Sequence, residues 1–230
     1  MTMTTQLSLH VSLIAPAISP ALREARFGET ETETDHGSGD ESNDGSDDDG
    51  LDATGLRQAE AVRETFPRAT ALYASPTRRC RRTAQALGLT TAPLAALAPC
   101  AMGRWQGRTL DEVAAAEPQS VAAWLSDPEA APHGGESLSD FHTRVAHWLD
   151  TAGEAHSDGT TEAAGPTMPP ATGRRLLVVA EPDFIRAATV HALGAPARTF
   201  WRIDVRPLSV TELSGRDGRW NLRLGRPLHE

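Results

Sequence analysis

The residues of this sequence best able to do chemistry fall in two short stretches, Ser75-Pro-Thr-Arg-Arg-Cys80 and Glu181-Pro-Asp183. In the first, a short apolar run ends at Ser75-Pro76 and a helical pattern begins at once. Ser75 suits an N-cap, and Pro76 suits the first helical position, where a missing N–H costs nothing. Arg78 and Arg79 then stand in the first turn, where the free N–H groups and the helix dipole favour anions over cations. An arginine there reads as one wall of an anion site, or else as part of a solvated basic face. In the second stretch, Glu181 reads as a solvated residue at a strand end, with Asp183 capping the helix that follows.

Other reactive side chains are harder to place at a site. His10 falls mid-strand, His36 in an acidic run, and His142, His147 and His191 on helices; His133, beside a Gly-Gly turn, reads as a surface-loop residue or one near a pocket mouth. No pair of histidines has metal-ligand spacing. Asp40, Ser42, Asp44 and Gly45 match part of a calcium loop, but Leu51 stands where the bidentate Glu is needed. No metal and no cofactor are expected. Cys80 and Cys100 are too few for a disulfide framework, which points to a reducing, cytoplasmic setting.

The elements that must position these groups follow from periodicity. Leu7, Leu9, Val11 and Leu13 alternate with polar residues and predict a first strand, ended by Pro16 and Pro20. Leu51–Thr65 predicts a helix, Leu72–Ala74 a strand, and Cys80, Ala84 and Leu87 the inner stripe of the Arg79 helix. Ala92–Ala101 holds a short strand, Gly103–Gly107 a turn, and Leu110–Leu125 one helix. Phe141, Val145, Trp148 and Leu149 mark one face of a strong amphipathic helix. Leu176–Val179 predicts a buried strand and Phe184–Leu193 a helix. Ser209–Leu213 and Trp220–Leu224 close the chain as strands around Gly215–Gly218. Strands alternating with helices imply an α/β fold, a mostly parallel central sheet with helices on both faces, whose site lies beyond the carboxyl ends of the strands.

Length, charge and composition bound the rest. The chain has 230 residues, 39% of them hydrophobic, with mean hydropathy −0.37. This fits one domain over 1–230. No apolar run approaches the roughly 20 residues of a membrane helix, and no Lys or Arg precedes the first apolar stretch, so neither membrane nor secretory signal is expected. Of the 31 acidic residues, eleven lie between Glu29 and Asp52 with no basic residue among them. The remaining 20 face 22 basic residues, all Arg, so the body is nearly neutral and charge gives no case for nucleic acid. Residues of about 29–50 read as a disordered acidic insertion, and about 151–173 as a Gly/Pro-rich surface loop.

Several segments together resemble the histidine phosphatase superfamily, the phosphoglycerate-mutase-like fold. Ser75, Arg79, Thr83 and Ala84 fall into a Ser-x-x-x-Arg-Ala-x-x-Thr-Ala motif. Leu51–Ala59 is similar to Leu-Thr-x-x-Gly-x-x-Gln-Ala, Gly103–Gly107 to Gly-x-Trp-Glu-Gly, and Gly134–Ser137 to Gly-Gly-Glu-Ser. Leu177–Arg186 is similar to Val-Val-Ser-His-Gly-Gly-Val-Ile-Arg. In the family, the arginine matching Arg79 holds the substrate phosphate. The nucleophilic Arg-His-Gly, however, aligns with Ala15-Pro16-Ala17, the second pocket histidine with Glu181, and the acidic proton donor with Pro99. Neither Pro nor Ala can attack phosphorus or donate to an oxyanion.

The resemblance therefore implies the fold and a degenerate site. Arg79 and Glu181 are its candidate catalytic residues, projecting into one cleft as a self-neutralised pair. Ala15, Pro16, Ser75, Pro99, Glu136 and Asp183 are its candidate pocket positions. The expected role is binding of a small-molecule metabolite or a protein partner, with a homodimer a further candidate. The alternatives are acid/base chemistry by Glu181 with Arg79 holding an anion or carbonyl, and phosphomonoester hydrolysis by a non-standard mechanism.

Overall fold

The computed structural model describes residues 8–28, 50–63, 66, 69–152, 174–216 and 218–228. The acidic insertion expected over about 29–50 and the Gly/Pro-rich loop over about 151–173 fall almost wholly outside these described residues, as does Leu7. The elements in chain order are β1 (Leu9–Ile14), α1 (Pro20–Arg23), α2 (Ala53–Ala61), β2 (Ala71–Ala74), α3 (Arg78–Ala86) and β3 (Ala92–Pro93). They continue with α4 (Leu110–Ala116), α5 (Pro118–Ser126), α6 (Leu138–Thr151), β4 (Arg174–Val179), α7 (Pro182–Ala192), β5 (Ser209–Arg216) and β6 (Arg219–Pro227). Short 3-10 turns occupy Ala95–Leu97, Gly103–Trp105 and Ala197–Arg202.

Six strands form one sheet in the order β3-β2-β4-β1-β5-β6. The first four are mutually parallel, and β5 runs antiparallel to both β1 and β6. Alternation along β1 sends Leu9, Val11 and Leu13 to one face. There they meet Leu176 and Val178 of β4 and the inner stripes of α6 and α7, including Phe141, Val145, Leu149 and Phe184. The opposite face carries Ile14, Ala74, Leu177 and Val179 against Ala59 and Val62 of the α2 segment and Cys80, Ala84 and Leu87 of α3. Each large apolar side chain so buried contributes about 1.5–3 kcal/mol. A third, smaller core holds Met102, Trp105, Val113 and Val121, with Phe27 and Trp124 packed on it.

Register decides where the site lies. Ile14 pairs with Val179, and Val179 with Ala74, so three parallel strands end side by side. The chain leaves them at Ala15, Ala180 and Ser75 on one edge of the sheet.

Two local expectations are corrected. The helix expected over Leu110–Leu125 is two helices: the chain turns at Glu117, and Pro118 starts the second. Proline at a helix interior would remove a bond and clash with the preceding turn, so it resets the helix instead. The N-cap of α3 is Thr77, not Ser75. Ser75 still continues the ladder, its N–H donating to Val179 O at 2.8 Å, so helical geometry starts only after Pro76 and Thr77.

Candidate functional site

Glu181 leaves the end of β4 and Arg79 the first turn of α3, and the two side chains meet. Arg79 Nε donates to Glu181 Oε1 at 2.8 Å, and a second guanidinium nitrogen donates to Oε2. The fork-on-fork geometry is the strongest form of such a pair. Glu181 is 1% exposed and Arg79 14%. Thr77, whose hydroxyl does not cap its helix, donates instead to Glu181 Oε1 at 2.6 Å. The Cys80 thiol approaches the same oxygen at 3.4 Å. Burial, and then the Glu181 charge, push that thiol well above its ordinary range. The cation that helix α3 ought to disfavour in its first turn is thus offset by a carboxylate from the neighbouring strand.

Asp183, two residues on, is not the N-cap of α7; Glu181 holds that position. Both carboxylate oxygens of Asp183 accept from backbone: Oδ2 from Cys100 N–H at 2.8 Å and Oδ1 from its neighbour Phe184 N–H at 2.7 Å. Its pKa is raised to about 6, first by burial and second by the Glu181 charge, against the lowering effect of the two N–H groups. Burial and Asp183 likewise push the Cys100 thiol up.

Above the Arg79–Glu181 pair opens a cavity of about 930 Å³. Thr77, Pro99, Cys100 and Asp183 line it near the pair, with Met102, Leu110, Leu138 and Val205 among its apolar walls. Phe27, Trp124, Phe200 and Trp201 also face it. Thus the pair is closed on itself, and open space lies over it as well.

Not every expected pocket position reaches this space. Pro99 and Asp183 do; Ala15, Pro16, Ser75 and Glu136 are absent from its lining. Ala15 and Pro16 are buried, and the backbone there is tied off. Ala15 N–H donates to Ser209 O at 3.0 Å, Leu208 N–H to Ala15 O at 3.3 Å, and Ala17 N–H to Thr83 Oγ1 at 3.0 Å. The Ser75 hydroxyl is buried without a partner among the described residues. Glu136 accepts from Arg144 Nε and a second guanidinium nitrogen, both at 2.9 Å. Arg144 also donates to the carbonyls of Ala96, Ala98 and Pro99 at 3.1–3.2 Å, so this pair braces the loop that carries Pro99 and Cys100. The bond to Glu136 is the main reason the Arg144 pKa is raised.

His133 is not a surface-loop residue. It is 1% exposed, packs on Trp105 at 5.0 Å between ring centroids, and accepts Gly135 N–H at Nδ1. Burial, then Arg104, lower its pKa. The glycines around it allow close backbone approach: a Cβ on Gly135 would lie 1.9 Å from Ala101 O, and one on Gly103, at φ +49°, 2.3 Å from His133 O. His10 is exposed on β1 and also far from the chemistry. No group of three or more His, Cys, Asp or Glu that could hold a metal occurs among the described residues.

Sequence reasoning missed Thr77, Cys100 and the aromatic wall. No local pattern marked the last, whose residues come from the separate stretches around Phe27, Trp124 and Phe200-Trp201. Among the described residues no helix is long and apolar enough to cross a membrane.

The geometry can now be set beside known proteins. Over 152 residues the chain is 34% identical to a glucosyl-3-phosphoglycerate phosphatase of Mycolicibacterium vanbaalenii, covering 64% of each protein. It is 29% identical over 184 residues to a bifunctional protein of Mycobacterium tuberculosis, covering 76% of this chain and 46% of that one. The chain therefore spans less than two thirds of these curated relatives. A mycobacterial glucosyl-3-phosphoglycerate phosphatase solved with VO3 superposes with a TM-score of 0.69 at 25% identity, over 95% of this chain and 99% of that one. The profile of the histidine phosphatase superfamily (branch 1) matches residues 26–226, a stretch that begins after β1. Its span, laid over the sheet and the strand-end pair, makes this chain a member of the histidine phosphatase superfamily.

Proposed function

We propose that this chain is a histidine phosphatase relative without phosphoryl-transfer activity, and that it binds a metabolite in the cavity over the Arg79–Glu181 pair. The carrying observation is the occupation of Arg79. By resemblance its guanidinium should hold substrate phosphate, and here Glu181 takes its fork. A phosphate group entering would have to displace a buried carboxylate and sit beside a second, Asp183. Pro16, at the nucleophile's place by resemblance, is a buried side chain that cannot attack phosphorus. A reducing, cytoplasmic setting and a metabolite in place of a protein partner belong to the same proposal.

A second reading is a recruited acid/base enzyme, and one observation favours it. Glu181 is engaged by Arg79, Thr77 and Cys80, but Asp183 lines the cavity with a pKa raised to about 6. A group titrating there suits proton transfer near neutral pH. Asp183, not Glu181, is then the proton carrier.

The likeness to a glucosyl-3-phosphoglycerate phosphatase makes phosphomonoester hydrolysis the reading to exclude. The test combines an aryl phosphate assay with calorimetric titration of inorganic phosphate. Wild type should show background turnover, unchanged in Arg79→Ala, and weak or no phosphate binding. Glu181→Gln should free Arg79 and tighten phosphate binding about tenfold or more. Robust turnover abolished by Arg79→Ala, or tight phosphate binding weakened by Glu181→Gln, would overturn the proposal.

A further inference from the structure

The chain is poor in aromatic residues, eleven in all, yet four of them line this one cavity. They also touch in series. Ring centroids of Phe27 and Trp124 are 5.5 Å apart, Trp124 and Trp201 4.5 Å, and Trp201 and Phe200 4.9 Å. Trp105 backs this wall from the third core, 5.5 Å from Phe27 and 5.6 Å from Trp124. The wall therefore joins two separately packed regions, α5 and the Ala197–Arg202 turn, and Phe27, Trp124 and Trp201 all keep part of their surface open. Partly open aromatic rings around a space of ligand size are what a ring-bearing ligand requires.

Charge at the cavity narrows the class further. Three arginines line it, and each has a partner in the protein. Arg79 holds Glu181, and Arg26 donates to Glu24 and to Gly107 O. Arg186 Nε donates to Ile203 O at 2.8 Å, and its guanidinium carbon lies 5.7 Å from the Phe200 ring centroid. Three carboxylates, Glu181, Asp183 and Asp204, line the same space. The lining is thus balanced, and an anionic group gains no uncommitted cation to offset its desolvation.

We infer that the cavity takes an uncharged, flat, ring-containing small molecule packed against Trp124 and Trp201. This specifies the ligand class within the binding reading above and rests on it. The wall gives affinity by burial and ring contact, while Asp183 offers a polar end that accepts from a hydroxyl or amine of the ligand.

The probe is N-phenyl-1-naphthylamine, an uncharged aromatic amine whose emission rises in apolar surroundings. Titrated into the full chain, it should bind saturably at one site. Trp124→Ala should weaken it about tenfold or more, the scale of losing one buried aromatic contact. Ala21→Trp, which adds bulk to the cavity wall without removing any of the aromatic rings, should weaken it comparably and serves if Trp124→Ala does not fold. In competition 2-naphthol should displace the probe, and 2-naphthyl phosphate should do so at least about tenfold less well. Glu181→Gln should narrow that gap. No saturable binding, or binding unchanged in the two wall variants, overturns the inference, even where the chain proves inert toward phosphate esters. Better competition by the phosphate than by the naphthol overturns it together with the binding reading beneath it.

Discussion

Two arginine–glutamate pairs in this molecule look alike and do different things. Arg144–Glu136 and Arg79–Glu181 both form two-point contacts, the first between residues eight positions apart and the second between residues 102 positions apart. The first pair belongs to a larger set of bonds: Arg144 also gathers three carbonyls from Ala96, Ala98 and Pro99 and lies 5.0 Å from the Phe141 ring centroid. The second pair lines the cavity that opens over it, on the edge where three parallel strands end. An arginine that braces backbone can lose its carboxylate and still have acceptors. A carboxylate buried to 1% exposure depends on its arginine far more. The difference separates a strut from a plug.

Removing each arginine should expose that difference. Arg79→Met leaves Glu181 buried without its cation, and breaking such a pair from one side costs about 3–5 kcal/mol. Chemical unfolding at pH 7.5 should show this loss. At pH 5 the loss should shrink, because a buried carboxylate without its cation takes up a proton. The double change Arg79→Met with Glu181→Leu should recover most of the stability at both pH values. An equal loss at both pH values, unrecovered by the double change, would mean that the pair acts as a strut after all.

Arg144→Met should cost less, about 2 kcal/mol, since the pair is partly open to water: Arg144 is 31% exposed and Glu136 17%. The loss should also persist at pH 5, because carbonyls left without a donor cannot titrate. Glu136→Gln should be milder still, with the three carbonyls still held. A clear recovery of Arg144→Met at pH 5 would erase the contrast between the two pairs.

The remaining effect is a slope, seen only as a change across pH. Asp183 has its pKa raised from 3.8 to about 6 in the folded chain, so it favours folding when protonated. Its contribution is therefore fully present below about pH 4 and is lost as pH rises through about 6. Unfolding midpoints for wild type and Asp183→Asn across pH 4–7 should differ by a term that changes in that window and is constant above it. The variant also loses an acceptor for Cys100 N–H or Phe184 N–H, which lowers the whole curve but leaves its shape alone. Parallel curves across the window would show that Asp183 does not titrate there.

Much of this arrangement could be read from the chain, and the unread part has a common cause. Alternation in β1 and the stripe on α6 are local patterns, so Leu9, Val11, Leu13, Phe141, Val145 and Leu149 fall where periodicity puts them. The strand-end pair spans 102 positions, and only the resemblance brought Arg79 and Glu181 together before the sheet did. Caps are decided by one or two dihedral angles, which is why Ser75 was expected in the place that Thr77 takes. Phe27, Trp124 and Trp201 come from three unrelated stretches, and no window of sequence shows that they share a wall. Cys100 and Asp183 are likewise joined only by a bond across the fold.

The backbone around Ala15 has a consequence for anyone redesigning this protein. Ile14 O accepts from Ala180, and Ala15 N–H and O and Ala17 N–H are each satisfied by Ser209, Leu208 and Thr83. None of those bonds involves the side chain at position 16. Residue 16 is therefore a socket held by its neighbours, and exchanging its side chain is a question of volume, of chemistry and of an acceptor for the backbone N–H that proline lacks.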